Sequence, residues 1–151
     1  MLKPQYLADL LIAVLGCLSL ISVRNLFMSG EISLETQFVP TLLNGITSCT
    51  GLIVGFTITV IVITISQFKN PHDTTRIAFT LLFLLFSVGS LFGGYTELMH
   101  HRYYTALETA LYGLVLSFVV QFDLVIFLIF KLHYFEEEQK EKKEHPLLFK
   151  E

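Results

Sequence analysis

Only 15% of the residues are charged, against about 25% in an ordinary soluble domain. With 53% apolar residues and a mean hydropathy of +0.64, a chain of 151 residues holds more hydrocarbon than a soluble core of that size hides. Basic groups are few and scattered, and the formal net charge is -3. No face can track a phosphate backbone, which excludes nucleic acid as a partner. Cys17 and Cys49 are the only cysteines, and both fall inside apolar stretches, so a disulfide framework of the secreted kind is ruled out. Several catalytic signatures are missing as well: Cys-x-x-Cys, His-Glu-x-x-His, Gly-x-Ser-x-Gly and the phosphate loop. The histidines, His72, His100, His101, His133 and His145, stand at predicted helix ends or beyond, so a haem held between two helices has no axial ligands. No cofactor is expected, and the missing catalytic set speaks against an enzyme.

What is present is four long apolar runs, at 6–27, 38–67, 77–99 and 106–132. Each is long enough for a hydrocarbon core that needs about 20 residues of helix. They predict an all-α protein, an up-down bundle of four transmembrane helices occupying residues 1–133, followed by a charged tail at 134–151. The first run is followed by Arg24, Asn25, Leu26 and Phe27 with no small-residue cleavage site, so it reads as a retained helix. Lys3, Lys69, Arg76, Lys131, Lys140, Lys142, Lys143 and Lys150 fall on one side and only Arg24 and Arg102 on the other. Cytoplasmic loops keep an excess of Lys and Arg, which predicts a multi-pass protein of the cell membrane with both termini cytoplasmic. Tryptophan is absent, and tyrosines and phenylalanines near the run ends, among them Phe27, Phe38, Tyr95, Tyr103 and Tyr134, take the place of an interfacial belt.

Local signals set the expected boundaries. An acidic loop with Glu31 and Glu35 precedes helix 2, and Pro40 suits its first turn. Asn70 and Pro71 are expected to end helix 2, with Asp73, Thr74 or Thr75 capping helix 3. Thr105-x-x-Glu108 has the form of a capping box opening helix 4. Glu136 with Lys140 and Glu138 with Lys142, acid first at i,i+4, extend helix 4 into the cytoplasm as far as Pro146.

Function must then be sought in the few polar groups. Asn44, Ser48, Gly51, Gly55, Thr59 and Ser66 recur every three or four residues along helix 2, which makes them a packing seam between helices or a polar pore wall. Ser87, Ser90 and Gly94 on helix 3 and Thr109, Gly113 and Ser117 on helix 4 repeat the small-residue theme. Intramembrane acids are costly and therefore candidate transport groups. Asp123 counts ~13 Å inward from Leu132 at ~1.5 Å per residue, Gln121 lies beside it in sequence, and Asp9 stands near the start of helix 1. The two acids would share a cavity and bind a proton or cation, or would accept hydrogen bonds from Gln67, Arg76 or Lys131 and lock the bundle. Glu97, His100, His101 and Glu108 form a weaker candidate metal site at the outer end, because one Glu-x-x-His pair is half of what a carboxylate-bridged centre repeats. The leading expectation is a non-catalytic membrane subunit that packs into a homo- or hetero-oligomeric complex in the lipid bilayer. A small proton or cation channel or carrier using Asp123 is the alternative, and a membrane metalloprotein the third.

Overall fold

The computed structural model describes residues 4–29, 35–67 and 71–144, with side chains described for 7–29, 35–64 and 74–134. Among the described residues there are four α-helices, α1 (Pro4–Met28), α2 (Val39–Gln67), α3 (Pro71–Met99) and α4 (Tyr103–Glu144), with a 3₁₀ turn at Thr36–Phe38 leading into α2. All four are long and apolar enough to cross a membrane. In lipid a helix satisfies its own peptide groups, so apolar length and helical state go together.

Three helices start earlier than their apolar runs, α1 by two residues at Pro4 and α3 and α4 by more. α3 opens at Pro71 rather than at 77, because proline's fixed φ and missing N–H suit the first helical position. Thr74 and Thr75 therefore lie within the first turns instead of capping them, and the residue before Pro71 lies outside the described residues. α4 opens at Tyr103, where Ala106 N–H donates to the Arg102 carbonyl at 2.9 Å. Thr105 is already helical, so the predicted capping box does not form, and the Glu108 carboxylate instead accepts from the Tyr112 hydroxyl. At the other end α4 runs to Glu144. The tail's Glu–Lys pairs and the acidic Glu31 lie outside the described side chains.

α4 is the hub. It packs against α1, α2 and α3, and α2 also packs against α3, giving a three-helix core with α1 laid on the far flank of α4. A ring in which each helix packs against the next in sequence, the simplest up-down bundle, is not what forms. The buried positions explain the core. On α3 they are Ile77, Thr80, Leu84, Ser87, Leu91 and Gly94, and on α4 Ala106, Ala110, Gly113, Ser117, Val120, Leu124 and Phe127, each series stepping by three and four residues. On α2, Leu43, Thr50, Thr57 and Thr64 follow at intervals of seven. That is the 3.5-residue repeat of helices packed side by side along their length. The threonines occupy core positions without an orphaned hydroxyl, because Thr50, Thr57 and Thr64 donate to the carbonyls of Ile46, Ile53 and Val60 one turn back, at 2.8–2.9 Å.

The α3–α4 seam is the closest contact. A Cβ on Gly113 would stand 2.6 Å from the Ser87 carbonyl oxygen, and one on Gly94 would stand 2.8 Å from that of Ala106. Ser87 also donates its hydroxyl to the Gly113 carbonyl across the seam. Small residues let the backbones approach until such contacts form, the usual source of helix association in lipid. α1 is held far less: Gly16 is its one buried residue among the described side chains, and it crosses α4 at Val119, where a Cβ would meet Cγ2 at 3.0 Å.

The turn between α3 and α4 is built by a residue in the left-handed region. His101 has φ 59°, the Arg102 N–H reaches back to the Glu97 carbonyl at 3.0 Å, and the His101 N–H reaches that of Leu98 at 3.0 Å. This paired arrangement closes a helix C-terminus and is normally made by glycine, which carries no Cβ penalty there. His101→Gly is therefore expected to stabilise the protein by about 1 kcal/mol, read as a higher midpoint in detergent unfolding; a lower midpoint would mean that the imidazole contributes more than its backbone strain.

Candidate functional site

Asp9, Arg76 and Asp123 come together at the end of the bundle where α1 begins. One guanidinium nitrogen of Arg76 donates to Asp9 Oδ1 and to Asp123 Oδ1, both at 2.7 Å, and the other reaches Asp9 Oδ2 at 3.3 Å. The fork of the guanidinium suits one carboxylate through two nitrogens while still serving a second. Beneath it lies the buried Phe127 ring, 4.7 Å from the Arg76 guanidinium carbon and 5.8 Å from the Lys131 ammonium, an arrangement that favours cations over the ring face. Three formal charges sum to minus one.

The helix ends give the level of this cluster along the bundle. Counted at ~1.5 Å per residue, Arg76 stands ~35 Å from the far end of α3 at Met99, Asp9 ~29 Å from that of α1 at Met28, and Asp123 ~30 Å from that of α4 at Tyr103. A hydrocarbon core is about 30 Å thick, and Asp9 and Arg76 stand within three residues of the starts of their apolar spans at Leu7 and Thr74, whereas Asp123 stands further inside the span of α4, which ends at Tyr134. Asp123 is not an isolated acid, since Arg76 engages it, and α4 continues beyond it to the end of its apolar span at Tyr134. Charge at an edge can reach water and head groups at a fraction of the mid-membrane cost. In keeping with this, the Arg76, Asp9 and Asp123 side chains are 20%, 32% and 29% exposed.

From the cluster a cleft of about 610 Å³ runs between α1 and α3 with α4 as its floor. α1 contributes one face, from Asp9 through Ile12, Ala13 and Gly16 to Leu20, spaced by three and four residues. Phe79 and Phe83 of α3 form the opposite wall and are 58% and 45% exposed, so the cleft opens sideways. Gln121 is not among its lining residues. Asp9 and Asp123 thus share a cavity, as their charge suggested, with Arg76 between them. The signal for Arg76 was present in the sequence: Asp9 and Arg76 each stand near the start of an apolar span, at Leu7 and Thr74, and α1 and α3 enter from the same end.

The helix 2 stripe lies elsewhere. Asn44, Ser48, Gly51, Gly55 and Thr59 are all exposed, and nothing lies within 4 Å of a Cβ built on Gly51 or Gly55. Ser66 lies outside the described side chains. Among the described side chains the face that α2 buries carries Thr50, Thr57 and Thr64 rather than this stripe, although Gly51 borders a cavity against Leu91 and Tyr95 of α3. Ser48 and Thr59 donate to their own helix, to the carbonyls of Asn44 and Gly55. Asn44 accepts from the Tyr95 hydroxyl of α3 at 2.8 Å.

At the α3–α4 turn, Glu97 makes an exposed ion pair with Arg102 at 3.5 Å, His101 Nδ1 lies 3.2 Å from the Tyr103 hydroxyl, and Glu108 is engaged by Tyr112. The candidate ligands Glu97, His100, His101 and Glu108 do not converge. Among the described residues no three His, Cys, Asp or Glu side chains gather to hold a metal ion. Comparison with protein-family models, curated proteins and solved structures finds no match to this chain.

Proposed function

We propose that the chain is a non-catalytic subunit of a membrane complex, with both termini cytoplasmic, and that it joins its partner through the outward face of α2. The observation that carries this reading is the bare Gly51–Gly55 pair. Glycine inside a helix costs about 0.5–1 kcal/mol relative to alanine. Gly16, Gly94 and Gly113 each offset that cost with a close contact inside the chain, whereas a Cβ on Gly51 or Gly55 would meet nothing within 4 Å, as it would on Gly45 and Gly89; Gly51 borders only a cavity of about 230 Å³ against Leu91 and Tyr95 of α3. A second copy of the chain fits this face best: small-x-x-x-small surfaces are self-complementary, and a two-fold pair presents the same patch from both sides. The cytoplasmic assignment of the cluster end is supported by Arg76 and Lys131 lying there while Arg24 and Arg102 lie toward the other end.

Ser48→Cys tests it. Oxidative crosslinking in native membranes is expected to give a dimer band, which Gly51→Leu should reduce about tenfold by removing more than 1.4 kcal/mol of packing. A chain that crosslinks to no partner and runs as a monomer in mild detergent would end the proposal.

A transport reading draws on the shared cleft of Asp9 and Asp123, where a net negative cluster would take up a proton or cation. Arg76 weighs against it by engaging both acids. Flux in liposomes that Asp123→Asn abolishes would favour transport over the subunit reading.

A further inference from the structure

The cleft between α1 and α3 has a depth, a chemistry and an opening that specify an occupant. Along α1 it extends from Asp9 to Leu20, ~16 Å of helix at ~1.5 Å per residue. That is half of a hydrocarbon core about 30 Å thick, the depth of one leaflet. At its charged end Asp9 and Arg76 stand near the starts of the apolar spans at Leu7 and Thr74, the level at which lipid head groups meet a spanning helix, and its walls below are Ile12, Ala13, Leu20, Phe79, Phe83 and Val119. A volume of about 610 Å³ falls within the usual ~300–1,000 Å³ of ligand sites. Because α1 is pinned chiefly at Gly16 and at Asp9, the gap admits chains from the side.

The head-group end selects by charge. Asp9, Arg76 and Asp123 are the charged residues lining the cleft, and they sum to minus one; Lys131, over the Phe127 ring, does not line it. Two ionised carboxylates offer about eight lone-pair sites, of which Arg76 uses three. The surplus is acceptor capacity together with negative charge, and a primary ammonium, with three N–H donors and a positive charge, complements both. A quaternary ammonium brings charge without donors, and an anionic head group meets repulsion.

We propose that this cleft holds one phospholipid of the adjacent leaflet bearing a primary-ammonium head group, its ammonium on Asp123 and Asp9 and an acyl chain along α1. The site involves no residue of α2, so it stands or falls separately from the assembly proposed above. The test is native mass spectrometry of the full chain in mild detergent, titrated with palmitoyl-oleoyl phosphatidylethanolamine, phosphatidylcholine or phosphatidylglycerol. The ethanolamine lipid should be retained about tenfold more strongly than the other two, and Asp123→Asn should remove that preference, as loss of one charge-assisted hydrogen bond implies. Ala13→Phe fills the slot without touching the charged cluster and should weaken retention of all three lipids, which keeps the test decisive if Asp123→Asn does not fold. Equal retention of the three lipids, preference for the anionic one, or undiminished binding by Ala13→Phe would overturn the proposal.

Discussion

Arg76→Ala is expected to destabilise the protein by about 3 kcal/mol, the scale on which removing one partner of a desolvated charge pair is felt. The reason lies in what remains. Asp9 and Asp123 both contact the guanidinium at 2.7 Å, so its loss leaves two carboxylates facing each other at the edge of the apolar layer with nothing between them. Arg76→Lys should recover only part of the loss, because an ammonium is a point donor and lacks the fork that serves two acids. Adding Asp9→Asn to Arg76→Ala should restore stability relative to the single variant, since it removes the repulsion together with its cause. Unfolding in a mixed-detergent titration, followed by helical circular dichroism, measures all three. A single variant within about 0.5 kcal/mol of the parent, the range of ordinary surface substitutions, would mean that the cluster is fully solvated and holds nothing.

The second large effect falls on the α3–α4 seam. Gly113→Val is expected to lose about 3 kcal/mol or more, because its Cβ would lie 2.6 Å from the Ser87 carbonyl oxygen and 3.2 Å from the Ser90 Cβ. That oxygen belongs to a helix backbone and cannot rotate aside, so the two helices must separate along the seam, and the Ser87 hydroxyl loses its acceptor. Gly94→Ala, at 2.8 Å from the Ala106 oxygen, should follow in the same direction. Gly45→Ala is the control: nothing lies within 4 Å of its Cβ, and it should be neutral or gain about 0.5 kcal/mol from helix propensity. The same unfolding titration reads the series, and equal effects at positions 45 and 113 would refute the close approach.

Some of the core was legible in the residues. Ser87, Gly94, Gly113 and Ser117 announce a close seam by size alone, and they form it. The α2 stripe announced one equally well and faces outward, because small size marks where a partner can approach without saying whether that partner lies in the same chain. The signal that identifies the buried face of α2 is the spacing of Leu43, Thr50, Thr57 and Thr64 by seven residues, matched by Thr80, Ser87 and Gly94 on α3. It was hidden because threonine and serine read as polar until their hydroxyls are seen to bond the preceding turn. The candidate site was half legible. Asp9 and Asp123 stand out as acids in apolar runs, with Gln67, Arg76 and Lys131 as candidate donors to them, but nothing in the sequence singles out Arg76 as the one that reaches both.

Four apolar runs of bilayer length determined the helices without help from the fold, since a run of about 20 residues fits a spanning helix and is twice what a barrel strand needs, and a helix satisfies its own peptide groups in lipid. Which helices pack together, α4's place as hub, and the convergence of Asp9, Arg76 and Asp123 were decided only by the tertiary structure. Those properties depend on the rotation and axial shift of one helix against another, set by contacts between residues distant in the chain such as Gly113 with Ser87, and no periodicity within a single segment encodes them.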